Sequence, residues 1–546
     1  MNTIIKSTLF ILLSIVTINV SAQQYSSTTT INSKSQYSYS NNFSSFDVQT
    51  KGDIKVNDAD TEIVSISPGG YLKISSKTFG NKRSLVIESR SNGELEYEFH
   101  EGRKNVAFEP EGRKYLSEIL IDIVRMTDID VDGRTKRIYD NRGINGFLKE
   151  IKEISSNSVT SKYFRSLMKQ YTLDSEETIE VIASISRDIS SNSESGSLYR
   201  KYSSEFMVNN AVAISYFEGV SRLSSNSERG SVLRKISDDI DFKNSQVTEA
   251  YFMCIDRLSS NSERGSVMRN VEKTQTLSDE AYVRLLTSVK KLSSNSEMGS
   301  ILRYLVNLDM DNPQIASAYF DAINAMSSNS EAGSTLRYLI KNYSLSDANY
   351  IQLLNAVRKL SSNSEIGSIL RSIVSINLSN QEINETYFGV ISSLTSNSEM
   401  GSILRTTIKK YELTTDNWAS LFGTTIKMTS NSEMGHVLRT ALTKMPYSVK
   451  EVDAFIKVTR TLSSSTEKSS VLVSMLKSPS LTSYVCNEVL VCAGTIQSNT
   501  EKSRVMRSVA NTEFINDPNI KDTYKRIAKT LTSDTEYRNV IEAIND

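Results

Sequence analysis

The sequence predicts a mainly α-helical solenoid: a right-handed superhelix of about twelve hairpins, preceded by a small antiparallel β-rich domain with a covering helix. Three observations predict it. A phrase close to Ser-Ser-Asn-Ser-Glu-x-Gly-Ser-x-Leu-Arg returns about every 34 residues. Its Asn falls at Asn157, Asn192, Asn226, Asn261, Asn295, Asn329, Asn363, Asn397, Asn431 and Asn499, with Ser465 and Asp534 in the same slot of two further copies. Only 6 Pro occur in 546 residues, as suits a chain made mostly of helices. Ahead of the repeats, short runs alternate apolar and polar residues in the manner of strands.

The first element is a targeting signal over residues 1–22. Lys6 precedes an apolar run from Leu9 to Val20, and Val20-Ser21-Ala22 supplies a small-residue cleavage site. The run is too short to span a bilayer as a helix. Cleavage after Ala22 leaves Gln23 first, and the expected location is extracytoplasmic, periplasmic or secreted. Residues 23–45 are Ser, Thr, Asn, Gln and Tyr with almost no aliphatic content, which predicts a disordered linker.

A β-rich domain with its covering helix is expected over 46–127. Asp53–Val56, Glu62–Ile66, Tyr71–Ile74, Leu85–Ile87 and Leu95–Phe99 read as strands. Pro68-Gly69-Gly70, Gly80-Asn81 and Asn92-Gly93 read as the turns between them. Pro110 opens a helix whose apolar positions, Tyr115, Leu116, Ile119, Leu120, Ile123 and Met126, form one stripe to close the sheet.

The repeats occupy 128–546. Each resolves into two helices, as in Ala316–Met326 followed by a second helix running to about Lys341. Ser328-Asn-Ser-Glu331 predicts a capping box, with Ser328 as N-cap and Glu331 reaching back to its amide. Three residues before the slot (Leu223, Leu292, Leu394) and seven after it (Leu233, Leu302, Leu404) sit large apolar core residues. Four after it, Gly196, Gly230, Gly265, Gly299, Gly333, Gly367, Gly401 and Gly435 recur. A glycine inside a helix costs roughly 1 kcal/mol against alanine, so its recurrence predicts close approach of a neighbouring backbone. The variable residue after the repeat Glu (Arg229, Met298, Ala332, Ile366, Met434, Lys502) is read either as lining a binding face or as surface drift.

Eight residues after the slot an arginine recurs: Arg200, Arg234, Arg269, Arg303, Arg337, Arg371, Arg405 and Arg439, with Arg165 and Arg507 outside that run. Stacked repeats space such a row about 10 Å apart. The row would either grip an acidic partner or tie each repeat to a carboxylate of the next, and its position beside the glycine favours the tie.

The array resembles divergent HEAT-like helical repeats. Val64-Ser-Ile-Ser-Pro-Gly-Gly-Tyr-Leu-Lys-Ile74, Phe108-Glu-Pro-Glu-Gly-Arg-Lys-Tyr-Leu116, Arg125-Met-Thr-Asp-Ile129 and the stretch from Ser464 to Leu472 are similar to the exported accessory region of antirepressor-type zinc metallopeptidases. That family also needs a membrane domain and a His-Glu-x-x-His helix. The two histidines here, His100 and His436, lie in no such motif, so the resemblance implies accessory segments without the peptidase domain.

Chemistry-bearing patterns are sparse. Lys and Arg total 63 against 63 Asp and Glu, which argues against nucleic acid as a bulk electrostatic target. Cys254 and Cys492 fall in core slots, and Cys486 and Cys492 stand about 9 Å apart along one helix, beyond disulfide reach. Asp128-Ile-Asp130-Val-Asp132-Gly133 matches half of a calcium loop, but Tyr139 stands where a bidentate Glu belongs and Arg134, Lys136 and Arg137 crowd it. No metal, cofactor or catalytic constellation is expected. The expected function is an exported, non-enzymatic protein–protein interaction scaffold without stable membrane insertion. The alternatives are an extracytoplasmic sensor or regulator module, and an enzyme with an unrecognised site between the two domains.

Overall fold

A computed structural model describes residues 25–31, 34–40 and 44–544; the expected signal peptide, residues 1–22, lies outside them. The chain divides into two compact units, ending at Leu258 and beginning at Ser259.

The first unit opens with an antiparallel sheet. Its strands are β1 (Tyr25–Ile31), β2 (Lys34–Ser40), β3 (Ser44–Lys51), β6 (Tyr71–Thr78), β7 (Asn81–Ser89), β8 (Leu95–Glu101) and β9 (Lys104–Val106), hydrogen-bonded in that order. β4 (Ile54–Val56) and β5 (Ile63–Ile66) form a separate two-stranded hairpin. Alternation decides which face is buried: Val48, Leu72, Ile74, Leu85, Ile87 and Phe99 point inward. The helix Arg113–Met126 lays Leu116, Leu120 and Ile123 against them, and Ile54, Val56, Ile63 and Ile66 join the same core.

Two expectations need correction. Residues read as a disordered linker form β1 and β2, paired in unbroken register from Tyr25↔Ser40 to Ile31↔Lys34. β2 pairs in turn with β3, and Tyr37 is buried at its centre. Ser, Thr and Tyr have ample strand propensity, and strand addition satisfies backbone groups without needing aliphatic side chains. The boundary expected at 127/128 is also no break between units. Buried Arg134, on the helix Val131–Glu153, donates to Asp60 of the β4–β5 loop (2.8 Å) and to Glu150 (2.9 Å). Arg125 of the covering helix grips the same Glu150 with two bonds of 2.9 Å. A buried guanidinium must keep such partners, so sheet and first repeat are fastened together.

Beyond this joint, helices alternate in hairpins. The second helix of each opens at its slot residue, from Asn157 through Asn329 to Asp534, with a Ser as N-cap (Ser156, Ser328, Ser533). Within each unit, first helices pack on first helices of the neighbouring repeat and second on second, the double layer of an α-solenoid.

A longer period overlies this one in the second unit. In its first five repeats the second helices alternate between 14 and 10 residues: Asn261–Thr274, Asn295–Tyr304, Asn329–Asn342, Asn363–Ser372, Asn397–Lys410. Where a short helix stops, the next long repeat supplies a tyrosine to hold the freed carbonyl. Tyr343 donates to the Leu305 carbonyl (2.6 Å) and Tyr411 to that of Ile373 (2.9 Å).

Candidate functional site

Residue by residue, the repeated phrase is used up in contacts between neighbouring repeats. The Asn does the first part. Asn329 Oδ1 accepts the Ser361 amide (2.9 Å) while its Nδ2 donates to the Ser361 hydroxyl (2.9 Å), so its side chain clamps the turn of the following repeat. Asn157, Asn192, Asn261, Asn295, Asn363, Asn397, Asn431 and Asn499 make the same donation to the turn hydroxyl one repeat on. The sequence marked this slot without assigning it a role. The Ser before it caps its helix, and the Ser after it sits within 3.0–3.2 Å of the cap hydroxyl, as in Ser294–Ser296 and Ser328–Ser330.

The Glu goes elsewhere than expected. Ser328 accepts the Glu331 amide (3.4 Å), half of a capping box, but the Glu331 carboxylate takes Arg303 of the preceding repeat (3.2 Å). The same pair forms at Arg200–Glu228 (2.6 Å), Arg269–Glu297 (3.0 Å), Arg337–Glu365 (2.6 Å), Arg371–Glu399 (2.6 Å), Arg405–Glu433 (2.7 Å) and Arg439–Glu467 (2.8 Å). Arg234 holds the equivalent place in the last turn of Asn226–Ile236. A charged, half-buried guanidinium outcompetes a neutral amide that the N-cap turn leaves near solvent. Among the described residues, complete boxes form at Asp174–Glu177 and Thr414–Asn417, where no such arginine takes the N3 side chain.

The recurring glycine makes room for this ion pair, not for a neighbouring backbone. A Cβ at Gly196 would stand 2.5 Å from Glu228 Oε2, and one at Gly299 would stand 2.6 Å from Glu331 Oε2. At Gly265, Gly333, Gly367, Gly401 and Gly435 the nearest atom is likewise the Glu carboxylate of the next repeat.

The variable residue after the Glu is no binding face. Arg229, Met298, Ala332, Ile366, Met434 and Lys502 are all buried. This is the fourth position of the helix, where the side chain turns back under the preceding turn. Its cations serve the stack: Arg229 donates to the Ser221 carbonyl (2.9 Å) and Lys468 to the Arg460 carbonyl (3.1 Å), each at the end of the hairpin's first helix.

The acidic stretch 128–133 lines an open cleft of about 1140 Å³ with Lys55, Lys136 and Lys169. Its carboxylates are engaged by protein groups. Asp128 pairs with Lys162 (2.5 Å), Asp130 with Arg137 (2.9 Å), and Asp132 accepts from Ser166 (2.6 Å). Burial works to raise the Asp128 carboxyl, but hydrogen bonds from Lys162 and the Tyr37 hydroxyl, with the Lys162 charge, hold it below its usual range. Three carboxylates so occupied do not form a cation cage. The three cysteines are buried and unbridged, and burial pushes the Cys254 thiol up to about 12.

Among the exposed large apolar side chains, two stand in register in a second row, displaced from the phrase. Val306 and Val374 follow the carbonyls held by Tyr343 and Tyr411, and they are 61% and 73% exposed. Lys273, Lys341 and Lys409 end the long helices between and beside them, all exposed. The valines and the lysines each recur 68 residues on, from 306 to 374 and from 273 through 341 to 409. That doubled period was the available signal, hidden beneath the louder single one.

No family model matches the chain. No curated protein matches it either. The likeness of residues 64–129 to a peptidase accessory region gains no support from these comparisons. Among solved structures, one chain of a homology model of the full-length AP-3 complex in an intermediate open conformation aligns with 80% of this chain and 87% of its own length. At 11% identity and a TM-score of 0.25, that superposition carries no argument. Among the described residues, no helix is long and apolar enough to cross a membrane.

Proposed function

We propose that this chain is a non-enzymatic protein–protein interaction scaffold working outside the cytoplasm, and that the row of Val306 and Val374 is where its second unit takes hold of a partner. One observation carries the reading. The recurring polar residues are consumed between repeats, whereas two valines are held out into solvent on tied backbone, with lysines in the intervening repeats. An exposed apolar pair on a fixed frame, with exposed lysines on the repeats between and beside it, suits an acidic and apolar partner.

The spacing specifies the partner further. Repeats stack about 10 Å apart, and a polyproline-type extended chain advances about 3.1 Å per residue and returns a side chain to the same face every third residue. One repeat therefore matches three residues of an extended segment, with acidic and apolar side chains taking alternate third positions. A synthetic peptide of that pattern should bind the second unit with affinity that falls as salt rises. Val306→Asp with Val374→Asp should abolish binding and leave the melting curve unchanged. Equal binding by a scrambled peptide of the same composition would refute the proposed register. For export, mass spectrometry of the native protein should find Gln23 at its N-terminus, and an intact Met1 would overturn the location.

A further inference from the structure

The β6–β7 hairpin gathers two unfavourable local arrangements at one tip. Thr78 pairs with Asn81, which leaves Phe79 and Gly80 as the two central residues of the turn. Both lie in the left-handed region, at φ +47° and +87°. Such a two-residue turn favours Asn-Gly, because a bulky side chain is strained there. Phe79 nevertheless occupies the first position and is 68% exposed, so most of the side chain stands in solvent. One step down the hairpin, Lys77 stands directly opposite Lys82, a like-charge pair that weakens a sheet.

A second turn adds to the same end. The Gly102 amide donates to the Lys82 carbonyl (2.7 Å), which sets Arg103 of the β8–β9 turn and Lys104 at the start of β9 beside the tip. Lys77, Lys82, Arg103 and Lys104 are all exposed. The acid closest in the chain, Glu101, is taken by Arg83 (3.3 Å).

We propose that this end of the sheet is a peripheral contact site for anionic lipid, with the Phe79 ring entering the headgroup boundary and the four cations meeting the phosphates. Aromatic rings partition to that boundary, and clustered Lys and Arg bind the negative surface. An exposed ring at the apex of a narrow turn, flanked by long flexible cations, suits a flat and fluid surface better than a shaped protein pocket. The inference is independent of the scaffold reading, since it concerns the first unit and a different ligand.

The test is co-sedimentation of the protein, as purified from the expressing cells, with phosphatidylcholine vesicles with and without phosphatidylglycerol. Binding is expected only to the anionic vesicles and should fade with salt. Lys82→Ser and Lys104→Ser should each weaken it about fivefold. Phe79→Asn separates site from scaffold, because Asn tolerates this backbone region. The variant should melt no lower than the parent yet lose vesicle binding several-fold. A lower melting temperature with unchanged binding would overturn the proposal, as would equal binding to neutral vesicles. Binding to soluble polyglutamate that is as tight, and indifferent to Phe79, would also overturn it by reassigning the tip to acidic polymers.

Discussion

The ion-pair ladder yields a test in which the size of one methyl group's effect depends on a residue in the next repeat. Replacing Gly333 by Ala adds a Cβ where the Glu365 carboxylate now sits, with Arg337 Nη1 3.3 Å away. The carboxylate is the free end of a flexible side chain, so it can move aside. Its movement breaks the 2.6 Å bond to Arg337, a pair whose side chains are 32% and 23% exposed. That intermediate burial places the pair between an exposed salt bridge and a buried charge-assisted bond, at about 1 kcal/mol. Ala gains about 1 kcal/mol over Gly inside a helix. The two effects nearly cancel, so Gly333→Ala should leave stability almost unchanged. In a Glu365→Ala background the carboxylate is gone, and the same substitution should stabilise by about 1 kcal/mol. Repeating the cycle at Gly299 with Glu331 and at Gly367 with Glu399 should bring the coupling to about 3 kcal/mol. At roughly 2 °C per kcal/mol for a unit of this size, thermal melts should show a coupling of about 6 °C. If the Gly→Ala shift is the same with and without the glutamates, the glycines are not there for the ion pair, and the argument fails.

Three further outcomes follow from the same contacts. Asn329→Ala removes the clamp on the Ser361 amide and hydroxyl and should cost about 1–2 kcal/mol in urea melts, whereas an exposed substitution such as Ser330→Ala should cost little. Burial raises the Cys254 and Cys492 thiols to about 12 and about 11, so iodoacetamide should leave both unmodified in the native protein at mildly alkaline pH and alkylate them in urea; rapid native labelling would contradict their burial. Burial also raises the Glu272 carboxyl above its ordinary value, so ionising it opposes folding: its contribution is intact in acid and is lost as pH rises from the unfolded pKa towards the folded one. Glu272→Gln should therefore be more stable than the parent near pH about 7, with the difference vanishing near pH about 4, as read from urea midpoints.

The hairpin period, the opening of each second helix at its slot, the Ser caps and the apolar core positions were legible from the residues alone. Each depends on interactions within a turn or two of chain, where helical geometry fixes which side chains meet. The candidate site was legible only in part. The arginines stood out by recurrence, but the valines repeat every second copy and were masked by the louder phrase.

The strands β1 and β2 were missed because backbone pairing needs no apolar signal, only a neighbouring edge. Local sequence equally could not say where Glu331 sends its carboxylate. Its own N-cap amide is three residues away and Arg303 is 28 residues away, and both are within reach once the repeats stack. The same holds for Asn329 and the turn 32 residues on, and for the buried position after each Glu. The sequence by itself determined which groups needed partners. Stacking decided which partners they found, because a neighbouring repeat brings a full charge into a half-buried seam where it outbids the local backbone.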